Sequence, residues 1–374
     1  MKTTKIFLFM MITAIALGLV LSSCEMNPEV NSQQDILPET FRVEIPSAIM
    51  EQSVSGGRLA RVKGDSLKGN HIYLHLATFI AIGDGAANLV EAFINGIRKH
   101  KIDRIMNLTY KSDEDDRIKN LVVTSDVTFE NQQWDYQLTI TDADSEGAAD
   151  GGKALQIFWN KTAPVKGIAI IKPYNCNRIE SANVPNAIFR INYTEESNTK
   201  YDAQMEVLVA GLPLANPLVD PYSVSTIRMF AGKKGDVVDV FGNSNHPNAI
   251  LFAGDAGFNW AFVASGNEVK NIGVAEVGLP PSELNSDDRD VILKEYSIKN
   301  VFTREITAAW PGVDQTLLAA YLSNTNAPGY FSESRGFISG GTSPGADWDV
   351  LVDRLDDLGP YNPSQVSALQ LNFK

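Results

Sequence analysis

The sequence predicts an α+β protein: a large antiparallel β-sheet, a meander or partial barrel, packed on an N-terminal helix, with a helical C-terminal part. Three observations predict it. Apolar residues recur at three and four places between Asn70 and Lys101. Period-two alternation then runs for well over a hundred residues. A second helical stripe falls between Asp347 and Leu358.

Each element follows from its spacing. Phe41 to Ile45 alternates and predicts a short strand. Ile72, Leu76, Phe79, Ile80, Leu89, Phe93, Ile94 and Ile97 form the apolar stripe of one helix, or of two broken near Gly83-Asp84-Gly85. Arg98, Lys99, His100 and Lys101 suit the negative end of that helix. Trp134, Tyr136, Leu138 and Ile140 oppose Asp135, Gln137, Thr139 and Thr141, the mark of a strand with one buried face. Phe189 to Tyr193 and Tyr201 to Val209 alternate likewise. Further strands are predicted over 121–129, 155–159, 167–171, 226–230, 237–241, 258–263 and 271–277. Asp113 to Asp116, Gly232 to Gly235 and Gly242 to Asn245 read as turns. Short connections favour hairpins in sequence over parallel units. Ser286 reads as the cap of a helix, and Trp348, Leu351, Val352, Leu355 and Leu358 make one helical face ended by Gly359 and Pro360. Leu369, Leu371 and Phe373 alternate and suggest a closing strand.

The N-terminus carries the most specific motif. Lys2 and Lys5 precede an apolar run from Ile6 to Leu21, which ends in Leu21-Ser22-Ser23-Cys24. A basic start, an apolar middle and a small-residue cut site make a secretory signal. The segment resembles the lipobox signal of bacterial, Bacteroidota-like lipoproteins: Leu three places before Cys, then two small residues. That resemblance implies that Cys24 becomes the first mature residue and carries acyl chains, which hold a protein on a membrane at about 0.8 kcal/mol per buried methylene. Glu25 stands where Asp retains such proteins at the inner membrane, so the resemblance favours the outer membrane, with the leaflet undecided. After Leu21 no further apolar run of spanning length is expected.

The expected organisation is a signal peptide over 1–23, a tether and irregular segment over 24–66, a helix-plus-sheet domain over 67–280, and a mainly helical region over 281–374 packing on the same domain. The formal net charge is −13, and Met1 to Ser23 holds two Lys and no acid, so the remainder is more acidic still. An acidic surface without a basic stripe argues against nucleic acid as a partner. The two cysteines are Cys24 and Cys176, so an acylated Cys24 leaves Cys176 without a disulfide partner in the chain.

Several residue groups bear chemistry. Asp142, Asp144 and Glu146 alternate before Gly147, with Asp150 following, which suits a hard cation such as calcium. Lys153 stands where the closing bidentate acid belongs, so an acidic hairpin loop is the competing reading. Asn243, Asn245, His246 and Asn248 crowd one stretch, with Asp255 and Trp260 downstream; amides beside an aromatic suit a sugar, and equally suit turn chemistry. His71 and His75 share a helix face without the Glu of a zinc protease. Gly83-Asp84-Gly85 lacks the strand and third Gly of a dinucleotide loop, and close helix–sheet approach explains it better. Ser197 to Lys200 fits Ser-x-x-Lys by letter alone.

These readings favour a non-enzymatic envelope lipoprotein that binds a ligand or partner, with no resident cofactor expected. The alternatives are a hydrolase of envelope or extracellular polymers using acids such as Asp142 or Asp144, a carrier of an apolar ligand, and a structural part of a surface assembly.

Overall fold

The computed structural model describes residues 42–50, 69–99, 105–196, 200–249 and 257–374. Among them, thirteen strands make a large antiparallel sheet in strict sequence order, which does not close. With its helices this places the protein in the α+β class.

The described residues begin with α1 (Ser47–Met50), and a 3₁₀ turn (Gly69–Ile72) feeds α2 (Tyr73–Lys99). Then come β1 (Met106–Lys111), β2 (Ile118–Phe129), β3 (Gln132–Asp142), β4 (Lys153–Asn160) and β5 (Lys166–Ile171). The short α3 (Pro173–Cys176) precedes β6 (Ile188–Thr194) and β7 (Ala203–Ala210). Next are β8 (Thr226–Lys234), β9 (Val237–His246), β10 (Phe258–Asn267) and β11 (Ile272–Gly278). The chain closes with α4 (Ile298–Ala309), α5 (Gln315–Tyr321), β12 (Gly329–Ser332), β13 (Gly336–Gly340), α6 (Ala346–Leu355) and α7 (Pro363–Ser367).

Two compact units share this chain. The first comprises Met1–Val43, Gly85–Pro213 and Gln370–Lys374; the second comprises Glu44–Asp84 and Leu214–Leu369. The units therefore cut the chain differently from the 67–280 and 281–374 partition read from the sequence.

In the first unit the alternation does what period two requires. Leu138 pairs with Ile157 and Ile140 with Leu155, and Ile157 pairs with Ala169, so one face carries a continuous apolar row. Leu138, Leu155, Ile157, Ala169, Ile191 and Val207 are all fully buried. Glu130 and Asn131 both take positive φ, 50° and 61°, which suits the two-residue turn between β2 and β3. A separate cluster of Trp134, Phe158, Ile168 and Ile170 is joined by Phe373. The residues from Leu369 to Lys374 form no strand, contrary to the alternation there. Lys374 donates its N–H to Gln156 Oε1 at 2.7 Å, and Phe373 packs as an apolar plug instead.

In the second unit β8 to β13 present two buried faces. Tyr73 at the start of α2 stacks on Phe337 with ring centroids 5.0 Å apart and meets Phe331 edge-on at 6.1 Å. Phe79 lies 5.1 Å from Trp260. The opposite face receives α6: Leu351, Leu355 and Leu358 are buried among Ala261, Val263 and Val274, with Trp348 and Val352 alongside. That is the helical face the spacing predicts.

Other expectations are corrected. Arg42 to Ile45 is not a strand, and Phe41 lies outside the described residues. α2 runs unbroken through Gly83-Asp84-Gly85. A Cβ on Gly83 meets Met229 Cε at 2.5 Å, so this glycine lies where helix and strand approach closely. The stretch Gly69–Ala92 is long and apolar enough to cross a membrane by length and composition, although more than half of its most apolar window is buried within the protein, as in a core helix. Ser286 accepts a bond from Asp288 N in a local turn, while the α4 cap is Ser297. The C-terminal region holds α4 to α7 and also adds β12 and β13 to the sheet.

Candidate functional site

The acids proposed for a cation lie at the end of β3 and in the loop beyond it. Asp142 is wholly buried, and its carboxylate accepts from Arg117 Nε at 2.9 Å, Arg178 Nη2 at 3.0 Å and Ser145 Oγ at 2.8 Å, with Lys119 Nζ at 3.8 Å. Its oxygens are thus taken up by cations of the chain itself. Glu146 accepts from Asn120, and Asp150 accepts from Lys172 Nζ at 2.5 Å and Asn175 at 3.0 Å. Asp144 lies 3.8 Å from Arg117. Asp142 and Asp144 share Arg117, while Glu146 and Asp150 face other partners. Among the described residues no group of three or more His, Cys, Asp or Glu is arranged to hold a metal ion.

Burial works against the charged form of Asp142, but bonds from Arg117 and Ser145 and the charge of Lys119 outweigh it and hold the carboxyl below its usual range. Asp115 is held down likewise, against burial, by the Arg178 N–H and by Lys119. Lys119 is itself buried, with Asp115 at 3.1 Å and the Asn175 carbonyl at 2.9 Å. The loop is an internal ion cluster tying β2 and β3 to the chain around Asn175 and Arg178.

The Asn-rich stretch is not a loop. Asn243, Asn245 and His246 lie in the second half of β9, buried, and alternate between the two faces of the second unit's sheet. On one face Asn243 Oδ1 accepts from Tyr361 N at 2.9 Å, and Asn243 Nδ2 donates to Tyr361 O at 3.1 Å. Asn245 accepts from Ser282 Oγ at 2.6 Å, and Asn259 donates to Ser367 Oγ at 3.0 Å. On the other face Ser244 and His246 sit beside Trp260 and Phe79. The amides and Trp260 therefore occupy opposite faces, which removes the sugar arrangement the sequence suggested. Asn248 donates to the Ala215 carbonyl at 3.2 Å; Asp255 lies outside the described residues.

Ser244, Asn259, Asp239 and Arg354 escaped the sequence reading. Ser244 Oγ lies 2.9 Å from His246 Nε2, and His246 Nδ1 lies 2.8 Å from the Tyr222 carbonyl. A carbonyl can only accept, so the proton sits on Nδ1 and Ser244 donates to Nε2. That order matches a nucleophile, base and orienting group. Both side chains are only 1% exposed, and the ring is held between Phe79 at 5.1 Å and Phe258 at 4.9 Å. Burial lowers His246 from 6.5 to about 4, so the ring is neutral at physiological pH. The pair fastens the base of the segment that ends at Tyr222.

His75 meets Trp260 edge-on at 5.9 Å, four places from the half-buried His71. Among the described residues, Trp260 Nε1 is buried without a hydrogen-bond partner. Cys176 has its thiol pushed up by burial and lies 3.5 Å from the Ala154 carbonyl, which marks a packed thiol. Cys24 and Ser197 to Thr199 lie outside the described residues. The chain matches no protein family, no characterised protein and no solved structure with which it was compared.

Proposed function

We propose that the protein is a lipid-anchored lipoprotein of the bacterial cell envelope, held at the outer membrane by acyl chains on Cys24, that binds a ligand or a protein partner rather than catalysing a reaction. The observation that carries this reading is the spacing of Leu21-Ser22-Ser23-Cys24 behind a basic, then apolar, leader. The internal commitment of Asp142, Asn243, Asn245 and His246 supports a scaffold in which these polar residues serve packing. In this reading the helix α2 and the C-terminal helices cover the sheet, whose outward features meet the partner.

The test is metabolic labelling with a fatty acid, followed by mass spectrometry of natively purified protein. Acyl mass on Cys24, lost together with membrane sedimentation in Cys24→Ser, is expected. Absence of label, or unchanged sedimentation of the variant, removes the anchor. The same spectrum reads any small molecule that co-purifies, which favours the carrier reading. Turnover of an envelope polymer favours the hydrolase.

A further inference from the structure

The sheet of the first unit carries an apolar island on one face. Phe158 on β4 pairs with Ile168 on β5, and Gln156 pairs with Ile170, so these four share a face that Leu155, Ile157 and Ala169 turn away from. The next partners on that face are polar: Gln137 beside Phe158, Thr139 beside Gln156, Asn192 beside Ile168 and Arg190 beside Ile170. An antiparallel sheet gives its polar face to water, and an apolar patch rimmed by polar residues marks a place of docking. The island is covered. Phe129 stacks on Phe158 with ring centroids 4.2 Å apart, and Phe373 packs on the same cluster.

The segment that brings Phe373 lies there as a bound peptide does. Leu371 and Phe373 are half-buried while Asn372 and Lys374 are exposed, the alternation of an extended chain. Yet the segment joins no strand, and among the described residues no bond from main chain to main chain holds Gln370 to Lys374. Side chains of β4 hold it instead. Gln156 donates to Thr139 Oγ1 at 3.3 Å, which leaves its Oε1 to accept from Lys374 N at 2.7 Å. Lys153 Nζ donates to the Lys374 carbonyl oxygen. The Lys374 ammonium lies 5.9 Å from the centre of the Phe158 ring. One strand therefore reads a main-chain donor, a main-chain acceptor and an aromatic side chain, which is how pockets recognise an extended peptide. None of these contacts requires the segment to be covalently joined to the sheet.

We propose that this slot is a recognition site for an extended protein segment bearing an aromatic residue, and that Gln370 to Lys374 is its occupant in cis, a strap that such a partner displaces. The segment seated there defines the ligand chemistry: a ring on Phe158, Ile168 and Ile170, followed by a main-chain N–H for Gln156 and a carbonyl for Lys153. This deepens the partner-binding reading above and rests on it, and it is independent of the anchor on Cys24. A tethered segment acts at about millimolar effective concentration, so a partner must outcompete that or engage further surface.

The probe is the amidated peptide of residues Gln370 to Lys374, titrated into the protein while amide chemical shifts are followed. Three chains are compared: the intact protein, a chain ending at Leu369, and the full-length Phe373→Ala variant. Far-ultraviolet circular dichroism checks the fold of each. Saturable shifts centred on β4 and β5 are expected in both variants, with binding at least about tenfold weaker to the intact chain. The same peptide carrying Phe373→Ala is expected not to bind. Absence of saturable binding to the folded variants overturns the site, as does equal binding to all three chains. Loss of fold in both variants overturns it too, because the segment is then a part of the core. These results come from purified chain and peptide, so they leave separate the acylation and co-purification measurements that test the reading above.

Discussion

Arg354 on α6 grips Asp239 on β9 with two parallel bonds, Nε to Oδ1 at 2.9 Å and Nη2 to Oδ2 at 2.6 Å. Ser265 Oγ also donates to Asp239 Oδ1, at 2.8 Å. The acid is 1% exposed and the guanidinium 30%. The apolar face of α6 and this polar fork therefore act on one strand layer together.

The asymmetry of that pair sets a direction. Arg354→Ala takes the guanidinium from a buried carboxylate, and the loss expected for breaking a buried pair is about 3–5 kcal/mol. Asp239→Ala leaves a guanidinium that reaches water, so its cost is smaller. Urea unfolding of both variants checks the order.

His246 predicts a pH window. Unfolded, it titrates near 6.5; folded, near 4. Between those values the unfolded chain binds a proton that the folded chain does not. Stability therefore falls as pH drops through 6.5 and levels off below 4, by about 3 kcal/mol at 1.36 kcal/mol per pKa unit. His246→Phe removes that slope even though it weakens the protein at pH 7. Denaturation midpoints at pH 7, 5 and 4 decide it.

The ion cluster around Asp142 acts in a lower window. Asp142, Asp115 and Asp150 are all held below the usual carboxylate range, so their contribution is complete above about pH 4 and is lost as pH falls further. Asp142→Asn keeps the shape and loses part of that acid dependence, read by thermal melts from pH 5 to pH 2. Added calcium leaves the melting temperature of the wild-type chain unchanged, since guanidinium groups already fill the carboxylate.

Two glycines separate kinds of crowding. A Cβ on Gly278 meets the Ile292 carbonyl oxygen at 2.2 Å, and backbone cannot step aside. At Gly83 the obstacle is the far end of Met229, which swings, and alanine returns about 1 kcal/mol of helix propensity. Gly278→Ala is expected to cost more than Gly83→Ala by at least about 1 kcal/mol. A matched pair of denaturation curves tests this.

Where one side of a strand is apolar and the other wet, as from Trp134 to Ile140, the letters announce the strand. β9 shows the limit of that rule. Gly242 to His246 carries turn chemistry, yet it is buried strand because Tyr361 and Ser282 supply its hydrogen bonds from far along the chain. No local window contains those partners. β12 and β13, at four and five residues and bordered by glycine, are too short to show a period. The α6 stripe was legible because all five of its apolar residues meet one surface. The aspartate loop misled because alternate acids suit calcium and arginine alike until Arg117 and Arg178 are seen to arrive.

The second unit draws on Glu44–Asp84 and Leu214–Leu369, with 129 residues of the first unit between. A ribosome delivers Phe79 long before Trp260 exists to receive it. Emerging stretches of α2 must therefore wait, shielded or merely unfolded, until almost the whole polypeptide is available. Shortening the gene from its 3′ end deprives the earliest helix of its seat.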